Sequence, residues 1–227
     1  MAIVQIMVFH APQDTIFYIF QDIAFLPLQI AIVTVVLGSY LKRREKIERL
    51  KKINIVINAF FNEAGTEFLI CFHGFSKNYD EIKERLNVQT DWTDKMFLKT
   101  VGYLKNLDIQ IECSKDQLNH LTVLMKNKRN FLIGLLENPN LLEHDTFTDM
   151  LLSVFHVMEE LLARNEFEVD NQADMEHISN DIQRALKGLL VEWVEYMRHL
   201  RLEYPYLYSF MVRKNLFSRE GGTMITK

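Results

Sequence analysis

Cysteine and proline are scarce in this sequence, and each scarcity excludes something. The only cysteines among 227 residues are Cys71 and Cys113. They are far apart and form no CxxC pair, which argues against a disulfide framework and against a thiolate zinc site. Both suit a reducing compartment, where a free cysteine serves as a small buried apolar residue. Four prolines and eight glycines leave room for long helices. No strand-like alternation of useful length appears, so an all-α chain is expected. The formal net charge of −4 offers nothing to a polyanion taken over the whole chain, and no nucleic-acid partner is expected. There is no G-x-S-x-G elbow. Glu220-Gly-Gly-Thr223 lacks the spacing of a phosphate-binding loop. No cofactor is therefore expected.

Charge is missing from one stretch, and positive charge from another. Residues 23–41 are 19 consecutive residues without a formal charge, and only Gln29, Thr34, Ser39 and the Tyr40 hydroxyl are polar. As a helix the run is about 28 Å long at about 1.5 Å per residue, close to the roughly 30 Å hydrocarbon core of a bilayer. Residues 1–22 contain no Lys or Arg, whereas Lys42, Arg43, Arg44, Lys46, Arg49, Lys51 and Lys52 follow the run, relieved only by Glu45 and Glu48. Positive charge at one end of a span holds that end in the cytoplasm. A cleaved signal peptide would carry its charge before the apolar core. The expected placement is a single pass through the plasma (cell inner) membrane, N-terminus outside. Lys42, Arg43, Arg44 and Lys46 would then lie at the lipid headgroups, each attracted by about 1 kcal/mol.

Ala24, Pro27, Ala31, Thr34 and Gly38 recur at spacings of three and four, so they share one stripe. Small residues let helices approach closely in lipid, and a homo-oligomer is expected through this face. Gln29 and Asp22 are the polar residues near the outer end. A ring of Gln29 side chains in such an oligomer would line a pore. Asn54, Asn58 and Asn62, or Glu63, would continue it as a vestibule.

Beyond residue 52 the apolar positions keep helical spacing. The expected order is a stalk helix ending near Gly74, then helices over 92–107, 114–136, 143–164 and 174–204. A capping box at Ser114/Gln117, a break at Asn138-Pro-Asn140 and a stop at Pro205 bound them. Thr90 or Asp91 is the expected cap of the second of these, with Met96, Phe97, Val101 and Leu104 inward. The full expectation is an N-terminal transmembrane helix continuing into a cytoplasmic helical bundle. Its parts are an extracytoplasmic segment (1–22), the span (23–41), a basic juxtamembrane and stalk helix (42–75), the bundle (76–217) and a mobile tail (218–227).

Helical bundles can hold metals with inward carboxylates and histidines. Glu63 and Glu67, His156 and Glu159, and Glu195 and His199 are such pairs on three helices, although His156-x-x-Glu159 reverses the usual Glu-x-x-His order. The segments EYPYLYSFMVRKNLF and INAFFNEAGTEFL resemble those of uncharacterised prokaryotic single-pass membrane-anchored helical proteins, and the likeness extends over most of the chain. That resemblance brings no activity and no residue roles with it. The sequence therefore points to a self-associating membrane-anchored scaffold, sensor or pore subunit, more in keeping with a non-enzyme. A membrane-tethered enzyme using the carboxylate–histidine pairs is the alternative. Lipid and a second copy are the expected partners, with room for a cytoplasmic protein.

Overall fold

A computed structural model gives the structure of the chain and describes residues 12–141, 144–164, 172–214 and 217. The expected tail at 218–227, residues 1–11 and most of the acidic loop lie outside these. Among the described residues every regular element is a helix: α1 (Pro12–Phe60), a π-helical turn (Phe61–Gly65), α2 (Thr66–His73), α3 (Tyr79–Arg85), α4 (Asp94–Asn106), α5 (Lys115–Leu136), α6 (Asp145–Ala163), α7 (Gln172–Glu203) and α8 (Pro205–Arg213). The chain divides into two units, Met1–Leu50 and Lys51–Lys227.

In the first unit, helix α1 continues through Pro27. The helical run Ile19–His73 contains a stretch of mean hydropathy 2.0 whose residues are 0% buried. Among the described residues it is the one stretch long and apolar enough to cross a membrane. Its large side chains, including Phe20, Ile23, Leu28, Ile32, Val35 and Val36, are all exposed.

The second unit hides its apolar residues around α7. That helix buries Ile178, Ile182, Ala185 and Leu186, and then every residue from Leu189 to Val194. Burial on all sides marks a helix at the centre of a bundle. Helices α6, α4, α8 and α2 pack against it, and α5 packs against α6. Two buried rows feed the core from the segment before α3: Ile53, Ile57, Phe61, Gly65 and Leu69, and alongside them Phe60, Ala64, Phe68 and Phe72. Both rows advance by four residues, which drifts about 40° per step on an α-helix. The wider π turn takes up part of that drift. Thr66 closes it, with both its N–H and its hydroxyl (2.7 Å) donating to the Phe61 carbonyl. Phe60 meets Phe147 edge-on at 5.5 Å, and Phe61 stacks on Tyr196 at 4.9 Å.

Local signals set most helix ends. Ser114 and Gln117 form the full capping box of α5. Pro205 occupies the first turn of α8, where its missing N–H costs nothing. Tyr208 of that helix is buried and donates to the Gln89 carbonyl at 2.6 Å, so the aromatic C-terminal stretch packs on the bundle. Two expectations are corrected, and one cap is new. The N-cap of α4 is Thr93, two or three residues beyond the expected position. Met96 points outward rather than into the core. Helix α6 is capped by the His144 imidazole, which accepts from the Phe147 N–H at 3.2 Å.

A Cβ at Gly65 would lie 2.6 Å from Cε1 of Phe60 and 2.8 Å from Cδ1 of Phe61. Gly65→Ala should therefore destabilise the domain by about 1–3 kcal/mol through overpacking. Gly102, in α4, has nothing within 4 Å of such a Cβ, and Gly102→Ala should stabilise by about 0.5–1 kcal/mol. Thermal unfolding of the two variants should move the midpoint in opposite directions. A Gly65→Ala midpoint at or above wild type would show that the turn has slack.

Candidate functional site

On the apolar helix, Ala24, Pro27, Ala31 and Thr34 are exposed and Gly38 is half-exposed. At about 100° per residue these five fall within one sector, and Gln29 lies about 180° away from its centre. The small-residue face and a Gln29 ring are therefore alternatives: a helix that packs through one turns the other outward. Ser39 returns its hydroxyl to the Val35 carbonyl at 2.8 Å, so it is satisfied without a second helix. Lys42, Arg43, Arg44 and Lys46 are exposed, and Arg44 pairs with Glu48 at 3.4 Å.

The six carboxylate and histidine candidates do not meet at one centre. Glu63 and Glu67 both face Lys128, at 3.3 and 3.2 Å. Glu159 pairs with Arg129 at 3.4 Å. Glu195 pairs with Arg198 at 3.2 Å. The His199 Nε2 is buried without a hydrogen-bond partner, and burial holds that imidazole below its ordinary pKa. Among the six, His156 has neighbours of metal-binding type: His177 and Asp181, with one ligand atom from each of the three lying within 4.8 Å of the others. The reading by spacing missed His177, Asp181 and the adjacent Glu160. The signal was present as two i, i+4 pairs, His156/Glu160 and His177/Asp181, each on one helix face.

Asn58 does not face an open vestibule. Its side-chain oxygen accepts from the Tyr196 hydroxyl at 2.6 Å and from Asn62 at 3.0 Å. Another pairing invisible in the sequence is Cys71 with His120, whose Nδ1 lies 3.6 Å from the Sγ. Burial pushes the Cys71 thiol up to about 11, so the sulfur stays protonated and is not an activated nucleophile.

Among the described residues the most deeply buried acid is Glu192, 2% exposed in the middle of α7. It borders two clefts. One, of about 640 Å³, is also lined by Lys105, Thr146, His156, Arg184 and Lys187. The other, of about 260 Å³, is lined by Asn54, His144, Glu195 and His199. Loss of water raises the Glu192 pKa, and the Glu195 charge adds to the rise. The Thr146 hydroxyl bonded to it, His144 and Lys105 oppose the rise without cancelling it.

Two matches to known proteins cover these regions separately. Residues 49–213, which hold the core, the clefts and the His156 cluster, match the family described as "Uncharacterized protein MJ1433, C-terminal helical domain". Residues 1–41 match "MJ1433, N-terminal helical domain". The chain belongs to the MJ1433 family. The "Uncharacterized protein MJ1433" of Methanocaldococcus jannaschii is 38% identical over 205 residues, which is 90% of this chain and 82% of that protein. No solved structure gives a significant match. The two MJ1433 regions leave a gap at residues 42–48, the start of the basic block.

Glu192 gives the C-terminal MJ1433 domain a pH signature. The native carboxyl keeps its proton to higher pH than the unfolded one. The native state therefore binds more protons as pH rises from the ordinary glutamate value through the raised one, and stability falls over that interval. Glu192→Gln keeps the shape and removes the titration. Its melting temperature should exceed that of wild type at pH 8, and the gap should close by pH 4. A gap of equal size at both pH values would mean that the native and unfolded carboxyls titrate alike and that burial does not raise the native pKa.

Proposed function

We propose that the chain is a single-pass membrane-anchored protein that presents its helical domain in the cytoplasm and associates with copies of itself, as a scaffold or sensor. The observation that carries this reading is the uncovered apolar stretch of α1. Sixteen large apolar side chains from Ile16 to Leu41 are exposed. Leaving one such side chain in water rather than burying it costs about 1.5–3 kcal/mol, so sixteen partly exposed ones amount to on the order of 10 kcal/mol or more. Lipid removes that cost without any further protein surface. The cationic residues from Lys42 onward and the absence of Lys and Arg from residues 1–22 support an inward C-terminus.

Self-association is supported by the sector of small residues, since close backbone approach is what holds helices together in lipid. The pore reading has less support. It needs Gln29 inward, on the face opposite the small residues, and it needs Asn58 free, whereas Asn58 is engaged by Tyr196.

Both halves of the proposal have a direct test. A C-terminal green fluorescent protein fusion should fluoresce, and a C-terminal alkaline phosphatase fusion should stay inactive, because the first matures inside the cell and the second outside. The reverse pattern contradicts the orientation. In mild detergent, Gly38→Leu should lower the oligomer fraction severalfold while Gln29→Leu leaves it unchanged. A monomer in every sample contradicts self-association, and sensitivity at Gln29 alone moves the contact to the opposite face and revives the pore.

A further inference from the structure

Helices α6 and α7 meet at a cluster of two histidines and two carboxylates in which one buried carboxylate oxygen has no hydrogen-bond partner. His156 and Glu160 lie one turn apart on α6, and His177 and Asp181 lie one turn apart on α7. The helices are clasped beside them by Arg164, which contacts Asp174 at 2.7 and 3.2 Å and Glu160 at 2.7 Å. Asp181 is 4% exposed, and its Oδ2 is buried with no hydrogen-bond partner. A buried carboxylate oxygen without a donor is costly and uncommon. Two imidazole nitrogens lie close to it, His156 Nε2 at 3.3 Å and His177 Nε2 at 3.4 Å. Neither approaches with the alignment of an N–H donor.

Those two distances match the edges of a coordination tetrahedron. Ligand atoms bound about 2.0–2.1 Å from a zinc-type ion are separated by that bond length times about 1.63, or about 3.3–3.4 Å. A lone pair aimed at such an ion points away from the neighbouring ligand, which accounts for close contacts that are not hydrogen bonds. Around the three ligand atoms the other groups act in support. Arg184 Nη1 sits 3.5 Å from the other Asp181 oxygen and leaves Oδ2 facing the imidazoles. Outer partners of this kind orient metal ligands. Glu160 Oε2 is 3.8 Å from His177 Nε2, and Arg164 holds the Glu160 carboxyl below the usual range, so it stays ionised beside the cluster.

We propose that His156 Nε2, His177 Nε2 and Asp181 Oδ2 form a binding site for a divalent transition metal, with Zn²⁺ the best fit. Two imidazoles and one carboxylate favour zinc, cobalt, nickel or iron over magnesium and calcium. Three protein ligands leave a fourth position open, the arrangement that distinguishes sites able to bind a water or substrate from closed structural ones. Both histidines are exposed, so the ion has a path from solvent. His156 also lines the 640 Å³ cleft with Arg184 and Lys187, which gives the open position room beside positive charge. The site joins α6 to α7 across residues 165–171, so occupancy also stabilises the domain.

The test uses the full-length chain in mild detergent, without a histidine tag and stripped with chelator. Zn²⁺ titration by calorimetry should give one equivalent, and Co²⁺ should give the intense visible absorption of a four-coordinate site. His156→Ala and His177→Ala should each weaken binding by about tenfold or more with helical circular dichroism unchanged, since both side chains lie at the surface. His120→Ala should bind as wild type. Asp181→Asn should also lose the site; should that buried substitution unfold the domain, the two histidine variants still decide the matter. No binding up to about 100 μM Zn²⁺, or one equivalent retained in the His156→Ala/His177→Ala double variant, would overturn the assignment.

Discussion

An apolar helix that the protein does not cover must be covered by something else, and the other expectations for this protein follow from that constraint. In the helical domain the same hydrophobic effect is satisfied internally: α7 is wrapped until six consecutive residues, Leu189 to Val194, are buried. In α1 the stretch of mean hydropathy 2.0 is 0% buried. On the proposed placement lipid would resolve the difference, because its chains are as apolar as the side chains they would meet. It would also give the basic residues after Leu41 a counter-charge at the headgroups.

Helix α7 carries two polar departures from an apolar core, Asp181 and Glu192. They lie eleven residues apart, about three turns, which returns them to nearly the same face. That face lies toward α6. Gly188, between them, brings α6 close: a Cβ there would meet Met150 Cγ at 3.1 Å. Buried acids are costly to a fold unless protonated, paired or bound to a cation. The two resolve that cost differently. Burial favours the protonated form of Glu192, and Asp181 sits where a metal would complete its coordination. The two buried acids of α7 thus lie along the α6–α7 seam.

Features set by neighbours in the chain were legible in the sequence. The Ser114/Gln117 box needs only a three-residue offset, the stop at Pro205 needs only a missing N–H, and the all-α class needs only the period of the apolar residues. Features set by packing were not. His120 faces Cys71 across 49 residues, and Tyr196 reaches Asn58 across 138. Thr93 replaced Thr90 and Asp91 as a cap because the turn before α4 runs on further than its polar residues suggest. The site candidates show the same limit. Offset alone joined His156 to Glu159, yet Glu159 turns to Arg129, while the partner four residues on, Glu160, faces the cluster. Choosing between i+3 and i+4 requires knowing which helix lies opposite, and that depends on the whole core. Polarity likewise proposed Gln29 as a pore ring in the oligomer held by the small-residue stripe, although helical geometry puts the two on opposite sides.

Membrane residence is the claim that most of this account depends on, and fractionation measures it directly. After cell lysis without detergent, the full-length chain should sediment with the membranes at high speed, resist extraction by alkaline carbonate, and enter the supernatant only when detergent is added. Recovery of the folded chain in the first supernatant would contradict the account, and would mean that the exposed face of α1 is covered by protein rather than lipid.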